Sequence, residues 1–277
     1  MNTLLANKVI LITGASRGIG RAIALAAARA GAHIVIAAKT AEPHPKLPGT
    51  IHTVADEVRA LGVEALPLQL DVREENQVQA AFAAIDTTFG RLDALVNNAG
   101  AISLTSVADT PINRFDLMQG VNSRALFLCA KCALPLLRKA GGGHIISLSP
   151  PINLKPRWLA PYAPYTLSKY GMTLLALGMA GEFAKDNISV TTLWPRTTIA
   201  TAAIEFAVGA KLLPLSRTVD IMADAALAIL TTTDNSLNGQ CLLDEDFLRT
   251  RGTTDFLRYA NDPAFADKLF PDLFIDT

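Results

Sequence analysis

The chain has 277 residues and carries 25 Lys+Arg against 25 Asp+Glu, so its formal net charge is zero. Half of the residues are hydrophobic and 18% are charged, which excludes an intrinsically disordered chain. The balanced charge argues against a broadly basic surface for nucleic acid or anionic membrane. We find neither an apolar run of the ~18 residues that a membrane span needs nor an N-terminal signal pattern. We therefore expect a cytoplasmic protein with no nucleic-acid partner and no membrane span.

Short apolar, β-branched runs alternate with longer helical patterns along the chain. The predicted strands are residues 8–13, 33–38, 64–70, 92–96, 143–149, 188–194 and 240–243. The predicted helices are residues 18–29, 50–61, 74–89, 111–138, 164–185 and 218–231. Near-continuous apolar strands separated by helices indicate a parallel sheet covered on both faces. We therefore predict an α/β fold in which residues 1–277 form one doubly wound sheet of about seven parallel strands.

Three segments interrupt the alternation. Residues 40–49 form a proline-containing loop, and residues 150–164 hold five prolines, which suits a rigid wall beside a cleft. Residues 246–277 form a tail that we expect to pack on the domain or on a neighbouring subunit.

The C-x-x-C of Cys129 and Cys132 lies in an apolar helical stretch without a second pair, so we interpret it as core and predict no metal site.

A glycine-rich turn follows the first predicted strand and opens directly into the first helix. Glycines let the backbone turn tightly and approach a pyrophosphate closely, and the helix N-terminus offers free N–H groups and a partial positive charge. A strand before the turn and a helix after it favour dinucleotide binding over a merely structural turn. The residues expected to bind the dinucleotide here are Gly14, Ser16, Arg17, Gly18, Ile19 and Gly20.

The Gly-x-x-x-Gly-x-Gly spacing of this turn resembles that of the short-chain dehydrogenase/reductase family. Two further landmarks of that family follow in order, Asn-Asn-Ala-Gly at 97–100 and Tyr-Thr-Leu-Ser-Lys at 165–169. The resemblance covers about residues 7–243 and implies a Rossmann-like, NAD(P)-dependent oxidoreductase acting on CH–OH groups, typically a homodimer or homotetramer. The segments that resemble the hydroxysteroid-dehydrogenase-like branch are residues 36–40, 43–47, 149–151 and 194–196.

The end of the second strand indicates which dinucleotide is bound. An acidic residue there would bind the ribose 2′-hydroxyl of NAD, but the chain has Lys39 and no carboxylate before Glu42. Lys39 and Arg17 match the basic residues of NADP-preferring members of the family, so we predict NADP, with NAD as the less favoured cofactor. By the same resemblance, Asp71 and Val72 would contact the adenine.

Tyr165 and Lys169 are the predicted catalytic pair. Tyrosine has a reference pKa of about 10 and is alone a poor base near neutrality. A lysine four residues on lies on the same helix face, and its ammonium would lower the tyrosine pKa toward useful acid–base work. By resemblance, Lys169 would also hold the nicotinamide ribose, and Asn122 would support a proton-relay water. The alternative is that Asn122 has a structural role only, with its amide buried and hydrogen-bonded to other protein atoms.

The catalytic serine departs from the family pattern. The family places it about 13 residues before the tyrosine, and that count reaches Ile152. Ser149, at the end of the fifth strand, is the nearest substitute and requires a longer intervening loop. If Ser149 does not polarise the substrate carbonyl, water or Tyr165 alone has to do so.

Tyr162 is a second candidate acid. It lies 13 residues after Ser149 and seven before Lys169, a spacing that resembles the enoyl reductases of the same superfamily. Pro161 and Pro164 bracket Tyr162 and place it before the helix, so Tyr165 is preferred and Tyr162 is expected to line the pocket.

The segment after the sixth strand contributes the last predicted contacts. The family usually has Pro-Gly there, and Arg196 replaces the glycine. Residues 195–215 are expected to form a substrate lid whose apolar side chains, Ile204, Phe206 and Leu212, face a hydrophobic ligand. The remaining cofactor contacts that the resemblance implies are Asn98, Ala99, Gly100, Pro195 and Thr198.

These observations predict an NADP-dependent oxidoreductase that interconverts a hydrophobic alcohol and its ketone or aldehyde, with Tyr165 as acid and base. One alternative is an enoyl reductase that uses Tyr162. The other is a dinucleotide-sensing protein that has kept the fold and lost the chemistry.

Overall fold

The fold is built on one parallel sheet. The computed structural model describes residues 3–45 and 47–276, apart from the side chain of residue 207, so residue 46 of the 43–47 segment and the extreme ends of the predicted domain 1–277 lie outside it. The sheet has seven parallel strands in the order β3-β2-β1-β4-β5-β6-β7, which confirms the predicted architecture. The strands are β1 (Val9–Thr13), β2 (His33–Ala38), β3 (Ala65–Gln69), β4 (Ala94–Asn97), β5 (Gly143–Ser147), β6 (Ile188–Trp194) and β7 (Cys241–Leu243).

Helices bury both faces of the sheet, as its near-continuous apolar strands require. The helices are α1 (Gly18–Arg29), α2 (Ile51–Arg59), α3 (Glu75–Phe89), α4 (Ile112–Lys139), α5 (Pro156–Leu159), α6 (Ala163–Phe183), α7 (Asp220–Leu230) and α8 (Asp244–Thr250). One core contains α1, α2 and α7, and a second, on the other face, contains α3, α4 and α6. The sheet order reverses between β1 and β4, which opens a crevice at the carboxyl ends of the strands.

Local hydrogen bonds explain where the observed boundaries differ from the predicted ones. Thr50 is the N-cap of α2 rather than its first residue: its Oγ1 accepts from the N–H of Thr53 at 3.1 Å, and the Thr53 hydroxyl accepts from the N–H of Thr50 at 2.8 Å. Strand β5 ends at Ser147, two residues early, because the N–H of Ser149 turns back to the Ser147 carbonyl at 2.9 Å.

Helix α4 contains a π-helical turn at Gly120–Arg124 that the helical pattern of residues 111–138 does not reveal. Such turns are rare and occur often at functional sites, and this one carries Asn122. By length and composition α4 could cross a membrane, since its mean hydropathy over an 18-residue window is 1.2. Half of that window is buried inside the fold, as in a helix of a protein core.

The predicted lid and tail lie against each other beside β6. The lid consists of helical turns at Ala202–Ile204, Glu205–Gly209 and Ala210–Leu212. The Phe206 side chain is 63% exposed, so it does not face an apolar pocket in this structure, contrary to expectation. The tail runs from helix α8 back across the sheet and packs on its own domain. Its main chain pairs with the segment after β6. The N–H of Thr198 donates to the Phe270 carbonyl oxygen, and the N–H of Asp272 donates to the Arg196 carbonyl oxygen.

Candidate active site

The glycine turn after β1 is shaped by close backbone approaches. Gly14 has φ +66°, and a Cβ there would lie 2.9 Å from the Ala99 Cα. A Cβ on Gly20 would lie 2.5 Å from the Asn98 amide nitrogen and 2.6 Å from the Gly14 carbonyl oxygen. The two glycines therefore let β1, the start of α1 and the segment after β4 meet at one point.

Asn98 and Ala99 hold the glycine turn in place. The Asn98 side chain donates to the carbonyl oxygens of Thr13 at 2.7 Å and Gly14 at 3.1 Å. The Thr13 hydroxyl accepts from the main-chain N–H groups of Asn98 at 3.1 Å and Ala99 at 3.0 Å. The amide of Asn98 is thus occupied by the protein, which favours a supporting role in shaping the phosphate site.

The N-terminus of α1 is suited to an anion. Arg17 occupies the N-cap, no side chain accepts from the helix N–H groups there, and no acidic residue lies in the first turn. The uncapped N–H groups and the helix dipole are what a pyrophosphate requires. The Arg17 guanidinium donates to the carbonyl oxygens of Pro48 and Gly49, each at 3.1 Å, so it also fixes the loop of residues 40–49.

Lys39 and Asp71 meet at the ends of β2 and β3. The Lys39 ammonium lies 3.1 Å from an Asp71 carboxylate oxygen, and Arg73 binds the same carboxylate through its Nε and Nη2. The hydrogen bond from Arg73 holds the pKa of Asp71 well below its usual range. One carboxylate thus faces two cations, which leaves a net positive charge at this edge of the crevice. Val72 is buried beside it.

Lys169 is buried at the base of the site, on the same helix as Tyr165. Its ammonium donates to the Leu148 carbonyl at 2.7 Å and lies 5.1 Å from the centre of the Trp194 ring. Burial lowers the pKa of Lys169 to about 8, against a smaller opposing effect of the Asp272 carboxylate.

The environment of Tyr165 differs from the expected one. Burial is the main cause that raises the pKa of Tyr165 above its usual value, and Asp272 and Tyr162 add to it. A lowering of the Tyr165 pKa by Lys169, as the sequence predicts, is therefore not found in the ligand-free protein, where burial of the phenol dominates. Within residues 3–45 and 47–276, the Tyr165 hydroxyl makes no hydrogen bond to a protein atom.

Asn122 connects the π turn to helix α6, which carries Tyr165 and Lys169. Its amide donates to the Ser168 hydroxyl at 2.8 Å and to the Ala101 carbonyl at 3.0 Å, and its carbonyl accepts the Ala101 N–H at 2.9 Å. The amide is buried and satisfied by protein atoms, as the structural alternative expects. A proton relay through Asn122 would have to use its main chain, and that role stays a prediction.

Ser149 lies directly beyond the carbonyl that Lys169 binds. It is fully buried, and its hydroxyl has no hydrogen-bond partner among the described residues. An unpartnered buried hydroxyl is costly unless a ligand or a water satisfies it. Ile152, which the family's usual count reaches, is 39% exposed and apolar. Ser149 is therefore a better candidate than Ile152 to polarise a substrate carbonyl, because its free hydroxyl lies directly after the carbonyl that Lys169 binds.

Tyr162 precedes the helix, as its two flanking prolines predict. It is the N-cap of α6, and Pro164 lies in the first turn. Its ring packs against the tail residue Phe274 at a centroid distance of 6.3 Å, so it lines the same space as Tyr165.

The segment after β6 is occupied by the protein itself. The N–H of Thr198 donates to the Phe270 carbonyl at 2.9 Å, and its hydroxyl pairs with that of Ser216 at 2.8 Å. The hydroxyl of its neighbour Thr197 is buried and, in the described part of the chain, has no partner. The cofactor contacts assigned to Pro195 and Thr198 stay predictions.

The sequence did not reveal that the tail enters the site. Asp272 is buried near Lys169, and Phe274 packs on Tyr165 with their ring centroids 6.3 Å apart. The aromatic residues of the tail were the only available signal, and they do not specify where it docks. The described residues contain no group of three His, Cys, Asp or Glu side chains placed to hold a metal ion.

Most of the predicted cofactor residues lie at one edge of the sheet. Apart from Tyr165 and Lys169, which lie on α6, each follows a strand at the carboxyl edge, where open α/β folds bind ligands. The positions are Gly14 to Gly20 after β1, Lys39 after β2, Asp71 and Val72 after β3, Asn98 to Gly100 after β4, and Pro195 and Thr198 after β6. The side-chain-free cradle at Gly14 and Gly20, together with the uncapped helix, fits a dinucleotide pyrophosphate.

Comparisons with known proteins agree with this geometry. The hydroxysteroid dehydrogenase-like protein 2 of Xenopus tropicalis is 51% identical over 272 residues, which are 98% of this chain and 64% of that protein. The chain thus spans somewhat less than two thirds of the length of that relative. A protein of Xanthomonas campestris, known from its crystal structure, is 51% identical with a TM-score of 0.94, and the match covers 99% of both chains.

Two solved relatives hold ligands. A metagenomic short-chain oxidoreductase in complex with NADP is 28% identical, with a TM-score of 0.72 over 87% of this chain and 97% of its own. A 7α-hydroxysteroid dehydrogenase complexed with NADH and 7-oxo glycochenodeoxycholic acid is 27% identical, with a TM-score of 0.76 over 87% of this chain and 94% of its own. The short chain dehydrogenase family model matches residues 8–207. This chain belongs to the short-chain dehydrogenase family, in its hydroxysteroid-dehydrogenase-like branch.

Proposed function

We propose that the protein is an NADP-dependent oxidoreductase that interconverts a hydrophobic alcohol and its ketone or aldehyde. The observation that carries the proposal is the position of the Lys169 ammonium, which lies between the helix that carries Tyr165 and the end of β5. Tyr165 and Lys169 share one helix, and the Lys169 ammonium reaches the end of β5 directly before the unpartnered hydroxyl of Ser149. An acid, a cation and a hydroxyl donor are what carbonyl reduction requires of a protein.

In the direction of reduction, the Tyr165 hydroxyl donates a proton to the carbonyl oxygen of the substrate. Ser149 donates a hydrogen bond to the same oxygen and stabilises the charge that develops there. Burial lowers the pKa of Lys169 to about 8, so its side chain is still mostly protonated at neutral pH. The ammonium then stabilises the phenolate that forms when Tyr165 gives up its proton. The reduced nicotinamide, when bound, supplies the hydride.

The preference for NADP rests on the cations at the adenosine end of the crevice. Lys39 and Arg73 share the single carboxylate of Asp71, and Arg17 lies at the start of α1. A 2′-phosphate placed there would meet surplus positive charge, whereas an NAD-binding site has a carboxylate for the 2′-hydroxyl. The solved relatives named above hold NADP in one case and NADH in the other, so the preference has to be argued from these side chains.

A hydrophobic substrate is supported by the aromatic side chains around the catalytic tyrosine. Trp158, Tyr162, Tyr170 and Trp194 lie with Tyr165 in one cluster. Apolar pockets with few polar groups are typical of sites for small organic ligands. We extend the proposal to a homodimer or homotetramer, as is general in the family, and the cytoplasmic location stays a prediction.

The test is oxidation of NADPH, followed by its absorbance, with a panel of hydrophobic ketones, aldehydes and enones. We expect turnover of ketones or aldehydes and little turnover with NADH. Reduction of enones alone, lost in Tyr162→Phe, would instead support an enoyl reductase. Binding of NADPH without turnover of any carbonyl would contradict the proposal and leave the dinucleotide-sensing alternative.

A further inference from the structure

The side chain of Phe274 is enclosed by an aromatic cage around the catalytic tyrosine. Phe274 is 1% exposed although it lies near the end of the described chain. Five rings surround it, with centroid distances of 5.1 Å to Tyr170, 6.0 Å to Trp158, 6.1 Å to Trp194, and 6.3 Å to both Tyr162 and Tyr165. We use "aromatic cage" for these five residues.

The position of Phe274 is the one that a substrate needs. A carbonyl must come within hydrogen-bond distance of the Tyr165 hydroxyl to receive its proton. The ring of Phe274 lies almost parallel to that of Tyr165, at 23°, and Tyr165 is only 4% exposed. A substrate with a sizeable apolar group can therefore reach Tyr165 only if Phe274 leaves the cage.

The segment that carries Phe274 is held by contacts that can be broken reversibly. The Asp276 carboxylate pairs with Lys155 and Arg157. These ionic groups are part-exposed, and ion pairs between exposed side chains contribute little to stability. Around Phe274 the main chain accepts two hydrogen bonds from side chains, from the Trp194 indole to Leu273 at 3.0 Å and from the Asn153 amide to Phe274 at 3.1 Å. The start of the segment is anchored more firmly, because the Phe270 N–H donates to the Leu215 carbonyl at 2.8 Å and the Asp272 N–H donates to the Arg196 carbonyl at 3.1 Å.

The backbone at Phe274 is also strained. Its φ of +72° lies in the left-handed region, which is a costly conformation for a bulky residue without glycine's freedom. The strain persists because the cage buries the ring. Anything that replaces the ring in the cage lets the backbone relax, so exchange with a ligand is favoured.

We propose that the aromatic cage is the binding site for the apolar ring of the substrate, and that residues 270–276 are a gate whose Phe274 occupies this site in the ligand-free enzyme. The inference deepens the function proposed above and rests on it for the identity of the reacting carbonyl. It narrows the substrate class to carbonyl compounds that carry an aromatic or fused-ring apolar group, since five ring faces and edges suit such a group.

The two tryptophans of the chain report the state of the gate directly. The protein has only Trp158 and Trp194, and both touch the Phe274 ring. Protein labelled with 5-fluorotryptophan gives one ¹⁹F NMR resonance for each. In the ligand-free protein we expect Phe274→Ala to shift both resonances and Asp276→Asn to move the Trp194 resonance part of the way in the same direction. Trp158 does not serve as the reporter for Asp276→Asn, because its indole N–H donates directly to the Asp276 carboxylate at 3.1 Å. Phe270→Ala is the matched control, because that side chain of the same segment is exposed and outside the cage.

The ligand arm uses 4-phenyl-2-butanone and, as its ring-free analogue, 2-butanone. The phenyl ketone should shift both wild-type resonances at a concentration at which 2-butanone shifts neither. Its dissociation constant should fall about tenfold in Phe274→Ala and about two- to fivefold in Asp276→Asn, because the open fraction rises. In Phe270→Ala the dissociation constant of the phenyl ketone should be the same as in the wild type.

Two results would overturn the gate. One is weaker binding of 4-phenyl-2-butanone to Phe274→Ala, which would make Phe274 a fixed wall of the pocket. The other is Asp276→Asn with the Trp194 resonance at its wild-type position and wild-type affinity for the phenyl ketone. The NMR arm does not depend on turnover, so displacement of Phe274 by the phenyl ketone without reduction of any ketone would support the cage and contradict only the proposed reaction.

Discussion

The ammonium of Lys169 donates a 2.7 Å hydrogen bond to the carbonyl oxygen of Leu148, the residue directly before Ser149. This contact ties helix α6 to the end of β5. A second bond, from the Thr173 hydroxyl to the Pro150 carbonyl at 2.7 Å, fixes the other side of Ser149. Ser149 is therefore held next to Lys169 even though its distance from Tyr165 in sequence departs from the family pattern.

Replacement of Ser149 by alanine should separate activity from stability. We expect Ser149→Ala to lower kcat for ketone reduction about 100-fold, as for the loss of one donor to the substrate oxygen. Its free energy of unfolding should stay the same or rise by about 1 kcal/mol, because an unpartnered buried hydroxyl is removed. Ser147→Ala is the control, since its hydroxyl is also buried without a partner among the described residues and it should keep full activity. Equal losses of activity in both variants would contradict the role of Ser149.

Removal of the Lys39 charge should weaken binding of NADPH selectively. Lys39→Ala should raise the dissociation constant of NADPH about tenfold, which corresponds to the loss of one charge-assisted contact of about 1.4 kcal/mol. The dissociation constant of NADH should change little, and Lys131→Ala, at an exposed position on α4, should affect neither. Titrations by cofactor fluorescence measure the dissociation constants of both cofactors for the wild type and the two variants. An equal rise in the dissociation constant of NADH would show that Lys39 does not contact the 2′-phosphate.

A methyl group at Gly20 should disturb the phosphate site, whereas one at Gly178 should not. Gly20→Ala would force its Cβ against Asn98 and the Gly14 carbonyl, which should cost about 1–3 kcal/mol of stability and weaken NADPH binding. Gly178 lies inside α6, and a Cβ added there would meet no neighbouring atom of the described residues within 4 Å, so Gly178→Ala should stabilise the protein by about 0.5–1 kcal/mol. Urea unfolding and NADPH titration check both. Wild-type stability and affinity in Gly20→Ala would contradict the close approach at the turn.

Asp272 should make the stability of the ligand-free protein depend on pH. Burial raises the pKa of its carboxyl to about 7, with Asp244 adding to the rise and Lys169 opposing it. Between about pH 4 and pH 7 the folded protein then binds a proton that the unfolded chain has released, so stability falls as the pH rises. Asp272→Asn should show a shallower fall in the free energy of unfolding, measured with urea across this range. Some slope should remain, because burial also raises the pKa of Asp244 to about 7. Identical slopes in both proteins would contradict the burial of an ionisable Asp272.

The sequence predicts the sheet and the catalytic helix well because both depend on local patterns. The apolar strands had to be buried on both faces, and Pro161 and Pro164 placed Tyr162 ahead of the helix that carries Tyr165 and Lys169. Positions at the carboxyl ends of parallel strands then necessarily meet at one edge of the sheet.

What the sequence could not predict depends on contacts between distant segments. The docking of Phe274 on Tyr165 joins residues that are more than one hundred positions apart, and no periodicity encodes it. The same docking buries Tyr165, which is why its pKa is raised where its distance from Lys169 in sequence predicts a lower value. The π turn at Asn122 escapes the sequence because a pattern of apolar residues does not show which carbonyl each main-chain N–H binds.

The most direct test of the proposed chemistry is the single-turnover rate of ketone reduction by enzyme loaded with NADPH. In Tyr165→Phe this rate should fall at least about 100-fold, with NADPH binding unchanged, while Tyr162→Phe should stay within a few-fold of wild type. A wild-type rate in Tyr165→Phe, or a loss confined to Tyr162→Phe, would contradict the assignment of Tyr165 as the proton donor.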